Sequence, residues 1–345
     1  MNLNLLSNEE QNQLTELITT SEKIVLCAHK SPDGDAVGAC LAWKNYLQQI
    51  GKSEVSICLP DAFPDFLQWM PGTQEIIRYD KKPDAVKQLF DDADLVCYLD
   101  FNQTSRVDTM SSILEECKAK RLLIDHHLDP DTNNSLTISH TELSSTCELV
   151  FFIIYQLGGY EAMSKTCAQC IYCGMMTDTG GFTYNSNRPE IYYIISLLLS
   201  KGIDKDAIYK RVFNNYSANA IKLRGHILYN KLKIVDHLHT AYFTVTKEEM
   251  KRFHFIKGDL EGVVNIPQQI KGLKLSIALR EDTERPNLVL VSLRSGNGFR
   301  CQPMAAKFFN GGGHAEASGG KLFCSIEEAE QIVLKAILAF KDELQ

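Results

Sequence analysis

Short apolar runs alternate with stretches of helical periodicity along the first part of the chain. Residues 23–28, 54–59, 93–100 and 121–125 read as strands, and residues 36–49, 83–90 and 111–119 carry apolar side chains at helical spacing. This strand–helix–strand rhythm predicts an α/β domain with a mostly parallel, doubly wound sheet and helices on both faces, because parallel neighbours need long crossover connections. Past Ser139 the pattern turns helical, over residues 144–157, 160–176, 189–199 and 205–213. Beyond Ser217 come a helix, strands near 232–235, 240–245, 274–279 and 288–293, a Gly-rich segment and a closing helix over 326–340. The expected organisation is a sheet domain at residues 1–185, a helical linker at 186–216 and a smaller second α/β domain at 217–345, with a cleft between the domains.

Composition narrows the class. A length of 345 residues is consistent with two domains at about 150 residues each. With 44% hydrophobic and 23% charged residues, a disordered, collagenous or coiled-coil chain is excluded. No uncharged apolar run approaches the ~18 residues of a membrane span. Residues 1–11 carry Glu9 and Glu10 and lack the basic and apolar regions of a signal peptide, so a cytoplasmic location is expected. The 11 cysteines sit mostly in apolar stretches, as reduced thiols do. Cys167, Cys170 and Cys173 have the spacing that begins an iron–sulfur ligand run, but no fourth Cys followed by Pro completes it, and the same spacing suits one face of a packed helix.

Charge is unevenly divided. Residues 1–185 hold 13 Lys+Arg against 26 Asp+Glu, a net −13, whereas the remainder holds 23 against 17, a net +6. The acidic part suits a carboxylate metal site and the basic part an anionic ligand. The overall −7 argues against tracking along long duplex nucleic acid, which takes many basic phosphate contacts.

Chemistry concentrates at the ends of the expected strands and of one helix. His29, Asp33 and Asp35 follow the first strand in a loop bent by Pro32 and Gly34; Asp100 ends the third; Asp125, His126 and His127 end the fourth; Asp178 ends the long apolar helix. Singly, such an Asp reads as a turn or cap residue, and His140, His226, His237, His239 and His254 read as structural. Together, Asp33, Asp35, Asp100, Asp178, His29 and His126 form a mixed oxygen and nitrogen set that suits Mn²⁺ better than thiolate-bound zinc. Four carboxylates also balance two divalent cations, the arrangement that stabilises both oxygens of a phosphoryl displacement. In the second domain, Gly311, Gly312 and Gly313 let backbone amides approach an anion, His314 adds a donor, and Arg294 with Ser295 ends an apolar strand.

In order and spacing, these motifs resemble those of the DHH phosphoesterase superfamily. The segment from Asn310 to Gly319 resembles the glycine-rich motif of its DHH-associated C-terminal domain. The likeness spans nearly the whole chain and is greatest to the bifunctional nanoRNase and pAp phosphatase group, often labelled exopolyphosphatase-related. It implies one Mn²⁺ on His29, Asp33 and Asp100 and another on Asp35, Asp100, His126 and Asp178, with Mg²⁺ or Co²⁺ as substitutes. Asp100 would bridge, His127 would face the substrate phosphate, Asp125 would orient its neighbours, and Arg106 would clamp phosphate. Arg294, Ser295, Gly311, Gly312, Gly313 and His314 would grip the substrate's terminal nucleotide or phosphate. Asn310, where a fourth glycine is common, and Ser318, where Ala is usual, depart from the pattern.

The implied activity is hydrolysis of very short oligoribonucleotides and of 3′-phosphoadenosine 5′-phosphate (pAp) by a water nucleophile, without a covalent enzyme intermediate. Cyclic or linear dinucleotide phosphodiesterases, polyphosphatases and pyrophosphatases use similar metal motifs and stay open as alternatives. A nucleotide sensor is the alternative outside the enzymes. Membrane partners are not expected, and a homodimer is one of the assemblies left open.

Overall fold

The alternating pattern of the first half becomes a single parallel sheet. The computed structural model describes residues 3–345, which divide into two units between Asn215 and Tyr216. The first begins with α1 (Asn8–Thr20), started by a capping box in which Ser7 Oγ accepts from the Glu10 amide and the Glu10 carboxylate accepts from the Ser7 amide. There follow β1 (Lys23–Cys27), α2 (Gly34–Gln49), β2 (Glu54–Leu59), β3 (Ile77–Arg78), α3 (Pro83–Asp91) and β4 (Leu95–Leu99). A 3₁₀ segment, Thr104–Met110, leads into α4 (Ser111–Glu116), β5 (Lys120–Asp125) and β6 (Leu136–Ser139). Helices α5 (Thr146–Gln156), α6 (Lys165–Asp178), α7 (Pro189–Ser200) and α8 (Lys205–Phe213) complete the unit.

The strands lie in the order β3-β2-β1-β4-β5-β6 and every pair is parallel. Strand order reverses between β1 and β4, and such a switch point leaves a crevice at the carboxyl ends of the strands. Helices α2 and α6 pack on each other through glycines. A Cβ on Gly38 would lie 2.7 Å from the Cys170 carbonyl, and one on Gly174 would lie 2.9 Å from Asp35 Oδ1. Cys167, Cys170 and Cys173 lie in this core, none more than 2% exposed, which accounts for their spacing as packing. The helices of residues 186–216 bury Ile191, Ile194, Leu198, Ile208 and Val212 in the same core.

The second unit runs through α9 (Ala218–His226), β7 (Lys233–Val235), β8 (Thr240–Val245), α10 (Lys247–Arg252), β9 (Leu275–Glu281), β10 (Val289–Ser295) and α11 (Gln302–Phe308). It ends with β11 (Gly312–Gly313), β12 (Ala317–Leu322), α12 (Ile326–Ala339) and α13 (Lys341–Leu344). Its sheet has the order β11-β12-β10-β9-β8-β7, with β8 and β9 parallel and the other pairs antiparallel. The Gly-rich segment is thus part of a sheet rather than a loose turn. Among the described residues, no helix is long and apolar enough to cross a membrane.

Candidate metal centre

The loops leaving β1, β4 and β5 and the facing ends of α2, α5 and α6 bring six of the expected ligands together. His29 Nδ1 lies 2.9 Å from the carbonyl of Lys30, and His126 Nδ1 lies 3.3 Å from that of Leu143. A carbonyl can only accept, so each Nδ1 carries a proton and each Nε2 is the ring atom turned toward the carboxylates. Those Nε2 atoms face carboxylates. His29 Nε2 is 3.4 Å from Asp100 Oδ2 and 3.9 Å from Asp33 Oδ1. His126 Nε2 is 3.4 Å from Asp178 Oδ2, 3.6 Å from Asp100 Oδ1 and 3.9 Å from Asp35 Oδ2. Asp100 therefore turns one oxygen to each imidazole. Its backbone is in the left-handed region, φ 64°, which aspartate tolerates better than most residues and which swings the chain sharply away at the end of β4.

Two carboxylates are held by helix starts. Asp33 Oδ1 accepts from the amides of Asp35 and Ala36 and caps α2. Asp35, 1% exposed, accepts from the Thr146 amide at 2.6 Å and the Cys147 amide at 2.8 Å, the first two residues of α5. Burial first, and then the Asp178 carboxylate, push Asp35 up to about 7. Burial and the carboxylates of Asp35, Asp33, Asp178 and Asp125 push Asp100 well above the usual range. Carboxylates crowded together in this way repel one another unless positive charge lies among them. The donor set fits divalent ions: His29, Asp33 and Asp100 form one group, and Asp35, Asp100 and His126 another, each with ligand atoms within 4.8 Å of one another.

Asp125 and His127 are arranged differently. Asp125 is fully buried, and its Oδ1 accepts from His127 Nδ1 at 2.7 Å. Burial works to raise this carboxyl, but the bond from His127 holds it below the usual value. Arg106 is exposed on the 3₁₀ segment, close enough for its charge to act on His29, whose imidazole is lowered mainly by burial. Thr146 escaped the sequence reading: its Oγ1 donates to Asp100 Oδ1 at 2.9 Å, fixing that oxygen's direction. The available signal was the helix start Ser144-Ser145-Thr146 with Glu148 behind it, in which Ser145 Oγ accepts from the Glu148 amide.

In the second unit, Arg294 ends β10 and donates through Nη1 to the Leu293 carbonyl at 2.9 Å, and Ser295 Oγ accepts from the Cys301 amide. A Cβ on Gly311 would fall 1.8 Å from the Gly319 carbonyl, and one on Gly313 would fall 2.7 Å from that of Ala317, so both glycines are needed by their own sheet. Gly312 has nothing within 4 Å of its Cβ position. Asn310 has φ 47°, a conformation asparagine shares with glycine. Ser318 Oγ donates to the His314 carbonyl at 2.8 Å.

The model of the DHH family N-terminal domain matches residues 23–175, which hold His29, Asp33, Asp35, Asp100, Asp125, His126 and His127. A solved exopolyphosphatase-related protein from Bacteroides fragilis is 47% identical, with 99% of this chain and 98% of that one covered and a TM-score of 0.92. The chain belongs to the DHH family. A curated relative, the bifunctional oligoribonuclease and PAP phosphatase NrnA of Thermus thermophilus, is 27% identical over 95% of this chain and 94% of that protein. The fold extends further than sequence likeness: RecJ of Thermus thermophilus, solved in complex with Mn²⁺, is 12% identical with a TM-score of 0.54, covering 98% of this chain and 55% of RecJ.

Proposed function

We propose that this DHH-family phosphoester hydrolase cleaves very short oligoribonucleotides and removes phosphate from pAp, with two Mn²⁺ ions that Mg²⁺ or Co²⁺ can replace. The observation that carries the reading is Asp100, whose two oxygens face His29 and His126 separately, as a carboxylate shared by two cations requires. His29, Asp33 and Asp100 would hold one cation, and Asp35, Asp100, His126 and Asp178 the other. When bound, the ions supply charge for the phosphate and an activated water.

The remaining roles belong to the chain itself. Asp125 accepts from His127 Nδ1 and so orients the ring that would face the substrate phosphate. The Arg106 guanidinium would clamp the substrate phosphate as a bidentate donor. In the second unit, Arg294, Ser295, Gly311, Gly312, Gly313 and His314 would hold the terminal nucleotide; the bare backbone at Gly312 supports that role.

The test is turnover of a 5′-phosphorylated diribonucleotide with Mn²⁺, with pAp, a cyclic dinucleotide and pyrophosphate as competitors in one vessel. Release of mononucleotides first supports the reading; disappearance of the cyclic dinucleotide or pyrophosphate alone refutes it. Asp100→Ala should abolish turnover in a chain that still folds, and full activity would sink the shared carboxylate. Binding of nucleotide without turnover of any of the four would favour a sensor.

A further inference from the structure

Arg106 has no side-chain hydrogen bond or ion pair among the described residues, so its position depends on what holds the segment Thr104–Met110. Two contacts tie that segment to the loop after β1. The Lys30 amide donates to the Arg106 carbonyl at 2.9 Å, and the Lys30 ammonium pairs with the Asp108 carboxylate. Both paired side chains are partly covered, 24% and 22% exposed. Lys30 directly follows His29, and on its other side the Ser31 amide donates to Asp61 Oδ1 at 2.6 Å, which anchors the loop. Asp108 itself sits at φ 50°, ψ −117°, a conformation in which glycine alone is at ease. A chain that needed only this bend would be served best by glycine. An aspartate is explained here by its carboxylate, and that carboxylate reaches Lys30.

We propose that the Lys30–Asp108 ion pair is a latch that holds the segment bearing Arg106 against the His29 loop and so sets where the guanidinium meets the substrate phosphate. The inference rests on the phosphate role proposed above for Arg106. Lys30 and Asp108 are positioning residues, acting through Arg106.

Asp108→Gly separates the latch from simple electrostatics. Removing a carboxylate beside an anion site should, by charge alone, lower KM for the diribonucleotide. Loss of the latch should raise KM, by about three- to five-fold, with kcat within about two-fold and Tm unchanged or higher, because glycine suits that backbone. Lys30→Met should raise KM similarly, and the double variant should match the singles rather than multiply them. Arg106→Ala is the reference, with KM raised about 30-fold, the scale of a charge-assisted bond to phosphate. A KM that is unchanged or lowered in Asp108→Gly while Arg106→Ala is impaired overturns the latch alone. Multiplying effects in the double variant also overturn it. An unimpaired Arg106→Ala removes the phosphate role and the latch together.

Discussion

Asp33 combines two functions that a pair of substitutions can separate. Its Oδ1 caps α2 through the amides of Asp35 at 3.0 Å and Ala36 at 3.1 Å, and the same side chain belongs to the ligand group with His29 and Asp100. Asparagine offers an equivalent cap oxygen without the charge. Asp33→Asn should therefore keep α2 intact, whereas Asp33→Ala should lose a cap of about 1 kcal/mol, or about 3 °C in Tm for a unit of this size. Burial works to raise the Asp33 carboxyl, but His29 and the Ala36 amide hold it below the usual value, so its charge favours the fold and without metal the Asp33→Asn variant should melt slightly below the parent and above Asp33→Ala. Excess Mn²⁺ should widen the gap to the parent. If the lost ligand weakens binding a hundred-fold, the parent gains about 2.7 kcal/mol more than the variant at saturation. The assay is thermal unfolding by circular dichroism in chelator and in excess MnCl₂, with diribonucleotide turnover alongside. If the Asp33→Asn variant in chelator melts as low as Asp33→Ala, the cap argument fails; if it keeps full activity and the full Mn²⁺-induced rise in Tm, Asp33 is no ligand.

The other predictions are shorter. Thr146→Val removes the hydroxyl that aims Asp100 Oδ1 and leaves that buried oxygen one donor short, so kcat should fall about ten-fold, the scale of one buried bond; unchanged kcat and Mn²⁺ affinity would leave Thr146 a packing residue. Gly311→Ala should cost stability, because its Cβ collides with the Gly319 carbonyl, while Gly312→Ala should leave Tm alone and raise KM for the diribonucleotide; a silent Gly312→Ala removes that glycine from the grip. Glu249 gives a pH signature. Burial works to raise its carboxyl, but His226, the Thr246 amide and Lys231 together pull it down to about 2. A folded value below the unfolded one contributes stability above about pH 4.5 that is lost as pH falls toward 2. Glu249→Gln should thus be less stable than the parent at neutral pH, with the gap in urea midpoints closing in acid; a gap that persists there would refute the assignment.

The strands of the first sheet were legible because β1, β4 and β5 are buried on both faces and read as unbroken apolar runs ending in Asp or His. Other elements left no such trace. β3 is two residues long, β6 lies beside the polar stretch Asp129–Asn134 in sequence, and α1 buries only Leu14, Leu17 and Ile18. β11 and β12 are glycine-rich, and without side chains there is no alternation to read. Thr146 was invisible for a different reason. Its partner Asp100 is 46 residues away, and nothing local to either residue shows that α5 starts beside the end of β4.

Several local rules are broken beside the candidate metal ligands. Gly38 and Gly174 sit inside helices, where each costs about 1 kcal/mol relative to alanine, yet a Cβ on Gly174 would come 2.9 Å from Asp35 Oδ1. The glycines let α2 and α6 approach until Asp35 and Asp178 lie beside His126. Asp100 holds a left-handed backbone that costs on the order of 1 kcal/mol. Asp35 and Asp100 bury charge next to charge. Each is unfavourable for a helix, a strand end or a core taken alone, and all of them serve the convergence of four carboxylates on two imidazoles. A fold selected for stability alone would place alanine in those helices and neutral residues at those strand ends, so the departures fall where the proposed cation sites would need them.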